Sequence, residues 1–287
     1  MTKIEDALRK LQRRPAQSPT ESSLGVPRSA IPLAQKKKIT VDRAKHHVSQ
    51  EELIRGGLLA PHGQATSVAD EFRRIKRPLI ANAAKSSAEV ATNVIMIASA
   101  MPGAGKTFCA VNLAVSISLE RELNVLLVDA DVAKPHISRA FGLSDVPGLI
   151  DLLVDERRDL ADVLVRTDLN DIQVLPAGAS HPQASELLAS DRMSFIVREL
   201  ASRYRDRIIL LDSPPLMITS EAQALAGQVG QIALVVEAGQ TSQQMLTQTI
   251  ETLDSTKAIN LILNKTRDAG IGGYYAGYGY HGRKADD

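Results

Sequence analysis

A glycine-containing segment between an apolar run and a helical pattern is the strongest structural signal in this chain. Residues 94–98 are continuously apolar, residues 99–107 read SAMPGAGKT, and residues 106–119 follow a helical pattern. A strand, a glycine loop and a helix in this order direct backbone N–H groups to one point at the helix N-terminus, where the helix dipole favours an anion. The segment therefore predicts a phosphate-binding loop. The alternative is a glycine turn with an exposed lysine.

Each residue type in this loop has a chemical role. Gly103 and Gly105 allow the backbone to approach a phosphate group closely. Lys106 is expected to reach the β- and γ-phosphates, and the Thr107 hydroxyl to bind Mg²⁺. Ala100 stands where the common pattern has glycine, so the strand and the helix on either side support the assignment. The expected nucleotide-binding residues are Gly103, Ala104, Gly105, Lys106, Thr107 and Phe108.

Outside the loop, short apolar runs alternate with helical patterns. The runs are continuously apolar, which is typical of strands that are buried on both faces. Their alternation with helices predicts an α/β fold, a P-loop NTPase domain with a mainly parallel sheet flanked by helices. The expected strands are Val94–Ala98, Val125–Val128, Ile172–Leu175, Ile208–Leu211, Ile232–Val236 and Ile259–Leu263. The expected helices are 106–119, 185–203 with a break or bend, 220–227 and 242–254.

Carboxylates follow two of these apolar runs. Asp129 and Asp131 come after the second run, and Asp212 comes after a later one. An open α/β sheet binds its ligand at the carboxyl ends of the strands, and Mg²⁺ takes one or two carboxylates together with phosphates and water. An aspartate after buried aliphatic residues is costly without such a partner. We expect Thr107 and Asp131 nearest the metal, with Asp212 acting on it directly or through water. Helix capping is the alternative for Asp129 and Asp131.

Four further polar residues carry weaker signals. Asn264 ends the last expected strand, where its amide could contact a nucleotide base, and a turn-forming asparagine is the alternative. The single cysteine, Cys109, lies in the apolar helix after the loop and is expected to fill the core. A single cysteine excludes an intrachain disulfide and a cysteine-only metal site. His46 and His47 have no third metal ligand in view, so they receive no function.

The charge of the chain is unevenly distributed. Residues 1–50 carry a net charge of +7, which leaves −6 for the remainder. A basic start on an acidic body favours a membrane surface or an acidic partner over a nucleic acid. The chain has neither an apolar run of the roughly 18–20 residues that cross a bilayer nor the apolar segment of a signal peptide. We therefore expect a cytoplasmic protein.

The two ends of the chain differ in composition from its middle. Residues 1–14 predict a short amphipathic helix, and residues 15–63 predict a mostly disordered linker that is rich in proline, serine and charge. A capping-box pattern inside this linker predicts a helical stretch at 49–55. The P-loop domain is expected over 64–265. Residues 266–287 hold four of the five tyrosines among glycines, which predicts a flexible tail.

Together these segments resemble the bacterial tyrosine kinases, which are P-loop autokinases of polysaccharide synthesis and export. The loop at 99–107, the Asp129-Ala-Asp131 segment and the Asp212-Ser-Pro-Pro segment are similar to the Walker A, Walker A′ and Walker B motifs of that family. The likeness covers residues from about 64 to the C-terminus. The N-terminal region is similar to the subgroup associated with exosortase-linked exopolysaccharide clusters.

The resemblance implies an enzyme that transfers a phosphoryl group from ATP, with Mg²⁺, to a protein tyrosine. Asp129 is the family's candidate for the base that takes the phenol proton, and an exchange of roles with Asp131 stays open. The family usually has arginine where this chain has Ala133 and asparagine where it has Gln183. Neither position is a presumed phosphate or metal ligand. The implied catalytic residues are Lys106, Asp129, Asp131 and Asp212.

A charged helix before the loop matches the Glu-x-x-Arg-x-x-Arg oligomerisation motif of this family. The residues are Glu71, Arg74 and Arg77, and on a helix they share one broad arc. The glutamate of one copy could then meet the arginines of the next and generate a closed ring. The alternative is a solvated helix with an internal pair of Glu71 and Arg74. Pro78 is expected to bend or end the helix.

The tail supplies the implied phosphate acceptors. Glycines separate its tyrosines, so a strand or helix that would bury them is not expected to form. A mobile tail would let each phenol enter the active site of a neighbouring copy in turn. The alternative is a low-complexity end without function. The expected acceptors are Tyr274, Tyr275, Tyr278 and Tyr280.

The resemblance also implies partners and defines the competing interpretations. A membrane protein of the chain-length-determinant type, a polysaccharide co-polymerase, is the expected activator, and it would hold the kinase at the inner face of the cell membrane. The second candidate is a partitioning-type ATPase with a deviant Walker loop. Those ATPases carry a signature lysine where this chain has Met101. The third candidate is a nucleotide-gated adaptor without kinase activity.

Overall fold

The computed structural model describes residues 44–60, 67–84, 91–203 and 206–266. The expected N-terminal helix and the four tail tyrosines lie outside these ranges. No helix within them combines the length and the apolarity needed to cross a bilayer.

The centre of the described domain is a seven-stranded sheet. Its strands are β1 Val94–Ser99, β2 Asn124–Asp129, β3 Val165–Arg166, β4 Gln173–Leu175, β5 Arg207–Asp212, β6 Gln231–Glu237 and β7 Ala258–Asn264. They lie in the order β3-β4-β2-β5-β1-β6-β7. Every pairing is parallel except that of β3 with β4. The predicted mainly parallel α/β sheet is therefore confirmed, and each expected strand is present with small shifts at its ends.

Helices cover both faces of the sheet. They are α1 Gln50–Arg55, α2 Ser67–Ala83, α3 Lys106–Ser118, α4 His136–Ala140, α5 Leu149–Val154, α6 Leu160–Val163, α7 Ala184–Leu188, α8 Asp191–Arg203, α9 Ser220–Gln228 and α10 Gln243–Glu251. The break expected within 185–203 is the gap between α7 and α8. β3 and the three short helices α4, α5 and α6 were not expected, because elements of two to six residues are too short to show a periodic pattern.

Two hydrophobic cores lie on opposite faces of the sheet, and β1 contributes to both. Met96 and Ala98 pack with α5 to α10 on one face, whereas Ile95 and Ile97 pack with α1 to α4 on the other. Successive side chains of a strand point to opposite faces, so a strand with apolar surroundings on both sides must be apolar at every position. The continuous apolar runs of the sequence follow from this arrangement.

The N-terminal boundary of the domain lies before the expected residue 64. Residues 44–60 pack against the domain, and α1 begins after an N-cap at Ser49, whose hydroxyl accepts from the Glu52 N–H as the capping box predicts. The Val48 N–H donates to the Asp168 carboxylate at 2.9 Å, and Leu53 is 1% exposed. This part of the expected linker therefore packs against the domain, because Val48, Leu53 and Leu59 are buried in the core.

The helix that carries the oligomerisation motif continues past its proline. α2 contains Pro78 and ends five residues later at Ala83. Buried Lys76 fixes the helix to α3, because its ammonium donates to the Ser116 carbonyl at 2.6 Å and pairs with Glu120 at 2.7 Å. The opposite face of α2 is thereby directed outwards.

Candidate active site

The loop between β1 and α3 has the conformation that its glycines predict. Gly103 and Gly105 have φ angles of 86° and 94°, in the left-handed region that disfavours residues with a β-carbon. Gly105 is the N-cap of α3, which begins at Lys106, so the first N–H groups of this helix face the loop. A β-carbon at Gly105 would also collide with the Asn264 amide. The geometry is suited to an anion at the helix N-terminus.

Lys106 and Thr107 begin the helix beside two carboxylates. Lys106 is 8% exposed, and burial lowers the pKa of its ammonium while the charges of Asp212 and Asp131 raise it. The Thr107 hydroxyl donates to Asp212 Oδ2 at 2.7 Å. The predicted loop residues and the carboxylates from two other strands are thus brought together.

Asp212 and Asp129 lie side by side at the ends of neighbouring strands. The register of β2 and β5 pairs them directly. Both are essentially buried, and burial raises the pKa of Asp212 to about 7 and that of Asp129 to about 6. Asp129 Oδ2 accepts from both the N–H and the hydroxyl of Ser138, at 2.8 and 2.7 Å. One oxygen of each aspartate has no hydrogen-bond partner within the described residues.

Asp131 occupies a different environment from Asp129, two residues earlier. Asp131 is partly buried and lines the cavity above the loop, whereas the fully buried Asp129 does not. Burial raises the pKa of Asp131, while a hydrogen bond from the Lys134 N–H and the charge of Lys106 lower it. The sequence left the roles of the two aspartates exchangeable, and the fold gives only Asp131 direct access to a ligand in this cavity.

The cavity has a volume of about 680 Å³. This lies within the roughly 300–1,000 Å³ that is typical of ligand sites. Most of the expected binding residues line it, and Ala104 is buried beneath them. Several other lining residues were not expected from the sequence: Gly57 and Leu58 lie in the expected linker, His136 begins α4, and Ile218, Thr219 and Glu221 follow the Walker B-like segment without a motif of their own. The expected residues that line the cavity are Gly103, Gly105, Lys106, Thr107, Phe108, Asp131 and Asn264.

Asn264 is tied to the loop. Its Nδ2 donates to the Ala104 carbonyl at 2.8 Å, and its side chain also lines the cavity. The following residue, Lys265, has a φ of 57° and so begins the turn that follows β7. In this structure the amide of Asn264 supports the loop.

Cys109, His46 and His47 make contacts that stabilise the fold. Cys109 is buried, and burial raises the pKa of its thiol to about 12, which leaves it un-ionised. His46 Nε2 lies 2.7 Å from the Phe141 carbonyl, and His47 Nδ1 lies 2.6 Å from Asp168. No group of three or more His, Cys, Asp or Glu side chains suited to a metal occurs in the part of the chain that the structure describes.

The three residues expected to form an oligomerisation motif lie on the outer face of α2. Glu71, Arg74 and Arg77 are all exposed. The ion pair between neighbouring turns of this helix joins Asp70 and Arg73, and not the Glu71 and Arg74 of the alternative interpretation. The exposed face therefore presents one carboxylate and two guanidinium groups to solvent.

Comparisons with known proteins agree with this geometry. A family model described as "AAA domain" matches residues 92–265. The tyrosine-protein kinase YwqD of Bacillus subtilis is 30% identical over 192 residues, which cover 66% of this chain and 78% of YwqD. The chain belongs to the bacterial tyrosine kinase family.

Two further relatives match a larger share of this bacterial tyrosine kinase than YwqD does. The putative tyrosine-protein kinase CapB of Staphylococcus aureus is 28% identical over 216 residues, which cover 75% of this chain and 91% of CapB. The crystal structure of the chimeric protein CapA2B2 has a TM-score of 0.62 at 26% identity, and the likeness covers 77% of this chain and 93% of that one.

Proposed function

We propose that this bacterial tyrosine kinase transfers the γ-phosphoryl group of ATP to tyrosines of its own C-terminal tail. The observation that carries the proposal is that Lys106, Thr107 and Asp131 line one cavity of nucleotide size, with the buried Asp212 hydrogen-bonded to Thr107. Phosphoryl transfer depends mainly on positioning and on charge neutralisation. This cavity provides both, since it combines a helix N-terminus with three lysines, Lys106, Lys134 and Lys265, and with the carboxylates of Asp131 and Glu221.

The surroundings of Asp212 fit a magnesium ion. One of its oxygens has no hydrogen-bond partner among the described residues, and the other accepts from Thr107. A cation beside Asp212 would favour its ionised form and offset the cost of burying it. Thr107 and Asp212 would hold the ion, directly or through water, and Asp131 lines the same cavity as Thr107. When bound, Mg²⁺ neutralises charge on the phosphoryl oxygens.

Asp131 is the best-placed proton acceptor. A tyrosine hydroxyl has a pKa near 10, so a carboxylate must take its proton as the phenol oxygen attacks phosphorus. The new bond forms between the phenol oxygen and the γ-phosphorus, the bond to the bridging oxygen of ADP breaks, and the proton passes to the carboxylate. Asp131 lines the cavity, whereas Asp129 is enclosed and bonded to Ser138. We therefore assign Asp129 a supporting role.

We infer the assembly, the regulated process and the membrane partner of this kinase from its family. The exposed Glu71, Arg74 and Arg77 support a ring in which each copy presents its tail to a neighbour. We propose that the phosphorylation state of this ring regulates exopolysaccharide synthesis or export, in the exosortase-associated subgroup, and that a membrane co-polymerase recruits the kinase to the inner face of the membrane.

The decisive experiment is incubation of the purified full-length protein with ATP and Mg²⁺, followed by intact and peptide mass measurement. Phosphate on one or more of the four tail tyrosines is the expected result. Release of free phosphate without modified tyrosines would instead favour a partitioning-type ATPase. ATP binding without either product would favour a nucleotide-gated adaptor. A variant with all four tail tyrosines replaced by phenylalanine should bind ATP normally and gain no phosphate on the tail.

A further inference from the structure

A segment that precedes the Walker A loop by about forty residues forms part of the cavity wall. Gly57 and Leu58 line the cavity together with the loop and with Phe108. We propose that Gly57 and Leu58 contact the nucleoside part of the bound nucleotide, and that Asn112 is the positioning residue that holds them there. The proposal rests on the nucleotide binding proposed above.

The wall is built by the turn that ends α1. The Leu58 N–H donates to the Leu53 carbonyl at 2.8 Å, and the Gly57 N–H donates to the Ile54 carbonyl at 3.0 Å. Gly57 has a φ of 70°, so these two bonds form the glycine-containing cap that commonly ends helices. Beyond it, Leu59 is 2% exposed and enters the core, whereas Leu58 is only partly buried. The turn therefore directs Leu58 towards the cavity and anchors it through Leu59.

Asn112 connects this turn to the phosphate-binding helix. It lies in α3 one helical turn after Phe108 and is 5% exposed. Its Nδ2 donates to the carbonyls of Leu58 and Phe108, at 3.0 and 2.8 Å, and its Oδ1 accepts from the Ala60 N–H at 2.9 Å. All three bonds are made by one buried amide, so the position of Leu58 is fixed relative to the helix that begins at Lys106.

The chemistry of this wall suits a nucleoside and not a phosphate. Phosphates require N–H donors and cations, which the loop and Lys106 supply at the start of α3. Leu58 and Phe108 are partly buried apolar side chains, and both pack against the hydrophobic core beneath. Ligand sites commonly combine such apolar surface with a few polar groups. The faces of a purine base and the carbon atoms of a ribose are the parts of ATP that apolar side chains can contact.

The test compares two ligands that share the phosphates and differ in the nucleoside. The affinities of the full chain for ATP and for inorganic tripolyphosphate are measured by calorimetry, both with Mg²⁺. Leu58→Ala should weaken ATP binding about fivefold, because a partly buried contact of a few methylene groups is lost. Tripolyphosphate binding should not change. Ile54→Ala is the matched control, since Ile54 is partly buried against the same core but does not line the cavity.

Asn112→Ala tests the positioning role. It should weaken ATP binding about tenfold and leave tripolyphosphate binding within about twofold, because the turn loses its fixed position while the loop keeps its own. The chain has no tryptophan, so Leu58→Trp introduces a single fluorophore at the wall. Its emission should shift on addition of ATP, whereas the emission of Ile54→Trp should not.

The outcomes separate this proposal from the function on which it rests. Two outcomes would overturn only the proposed contact of Gly57 and Leu58 with the nucleoside. One is an equal loss of affinity for ATP and for tripolyphosphate in the variants. The other is an unchanged ATP affinity in Leu58→Ala while the wild type binds ATP. If the wild-type protein binds tripolyphosphate but not ATP, both the proposed nucleoside contact and the proposed kinase function are overturned. Weaker ATP binding with intact tripolyphosphate binding in both Leu58→Ala and Asn112→Ala supports the proposal.

Discussion

The enclosed end of the cavity and the outer face of α2 hold the same kinds of charged groups in opposite surroundings. Lys106 is 8% exposed and Asp212 is 1% exposed. Burial lowers the pKa of Lys106 and raises the pKa of Asp212, so it favours the neutral form of each side chain. Glu71, Arg74 and Arg77 face solvent. A charge in a poorly solvated site interacts strongly with a ligand, whereas an exposed charge is screened and gains little until a second surface excludes water. Large effects are therefore expected in the cavity and smaller, salt-dependent ones on α2.

Replacing the buried lysine should have the largest effect. Lys106→Met is expected to reduce tail phosphorylation at least about a hundredfold, the typical cost of removing a preorganised group that stabilises charge in the transition state. Mass measurement after incubation with ATP and Mg²⁺ gives the rate. The matched control is Lys134→Met, because Lys134 lines the same cavity but is exposed, so its loss should cost less than about tenfold. Equal losses would remove the distinction between buried and exposed charge.

Asp129, the last residue of β2, and Asp131, two residues later, should differ in the same sense. Asp131→Asn removes the carboxylate that lines the cavity and should slow phosphorylation about a hundredfold, as expected for loss of a general base. Asp129→Asn should cost less, about tenfold, because Asp129 acts through the elements around it. Single-turnover rates at saturating ATP compare the two variants. A larger loss in Asp129→Asn would transfer the proton-accepting role to the enclosed aspartate.

Asp212 should lower stability when neither nucleotide nor metal is bound. Its pKa of about 7 lies above the usual value of about 3.9, so the folded protein holds this proton more tightly than the unfolded chain. The contribution of Asp212 to stability therefore falls as pH rises from about 4 to about 7. Asp212→Asn should have nearly the wild-type free energy of unfolding at pH 4.5 and be roughly 2–4 kcal/mol more stable at pH 8.

Urea denaturation at both pH values, without nucleotide and with a chelator, measures this difference. The exposed residue Asp145 provides a surface control, and Asp145→Asn should show no comparable gain at pH 8. A constant difference between wild type and Asp212→Asn across the pH range would contradict the raised pKa.

The smallest change in free energy is expected for the exposed charged residues of α2. Under the proposed ring assembly, Glu71→Ala should shift the protein towards monomers in sedimentation velocity, because each interface would lose its carboxylate. The wild-type ring should also weaken with added salt, as exposed ion pairs do. Asp70→Ala is the matched control, since Asp70 pairs with Arg73 on its own helix. Assembly that survives Glu71→Ala would show that this face of α2 is only a solvated surface.

The sequence predicts the fold well where one physical requirement controls many positions. Strands buried on both faces must be apolar throughout, so their runs could be read directly, and the positive φ angles of Gly103 and Gly105 explain the spacing of the loop. The separate roles of Asp129 and Asp131 could not be assigned from the sequence in this way. Which carboxylate lines the cavity depends on how the chain turns after β2, and spacing carries no information about that turn.

The contribution of residues 44–60 was missed for a different reason. Their composition resembles a linker, and the contacts that order them are made with residues distant in sequence, such as Asn112 and Asp168. Only the capping box at Ser49 indicated local structure. Sequence reasoning therefore recovered the phosphate end of the cavity and not the wall formed by Gly57 and Leu58.

The position of β7 has a consequence for the reach of the tail. Lys265, at the end of this strand, lines the cavity, and eight residues separate it from Tyr274. A fully extended chain covers roughly 3.3–3.6 Å per residue, so the first acceptor phenol stays within roughly 30 Å of the cavity rim. A tether of this length gives a local concentration on the order of millimolar. Under the proposed function, transfer within one subunit and transfer to a neighbour would therefore compete, and the kinetic order in protein concentration would depend on which cavity lies inside that radius.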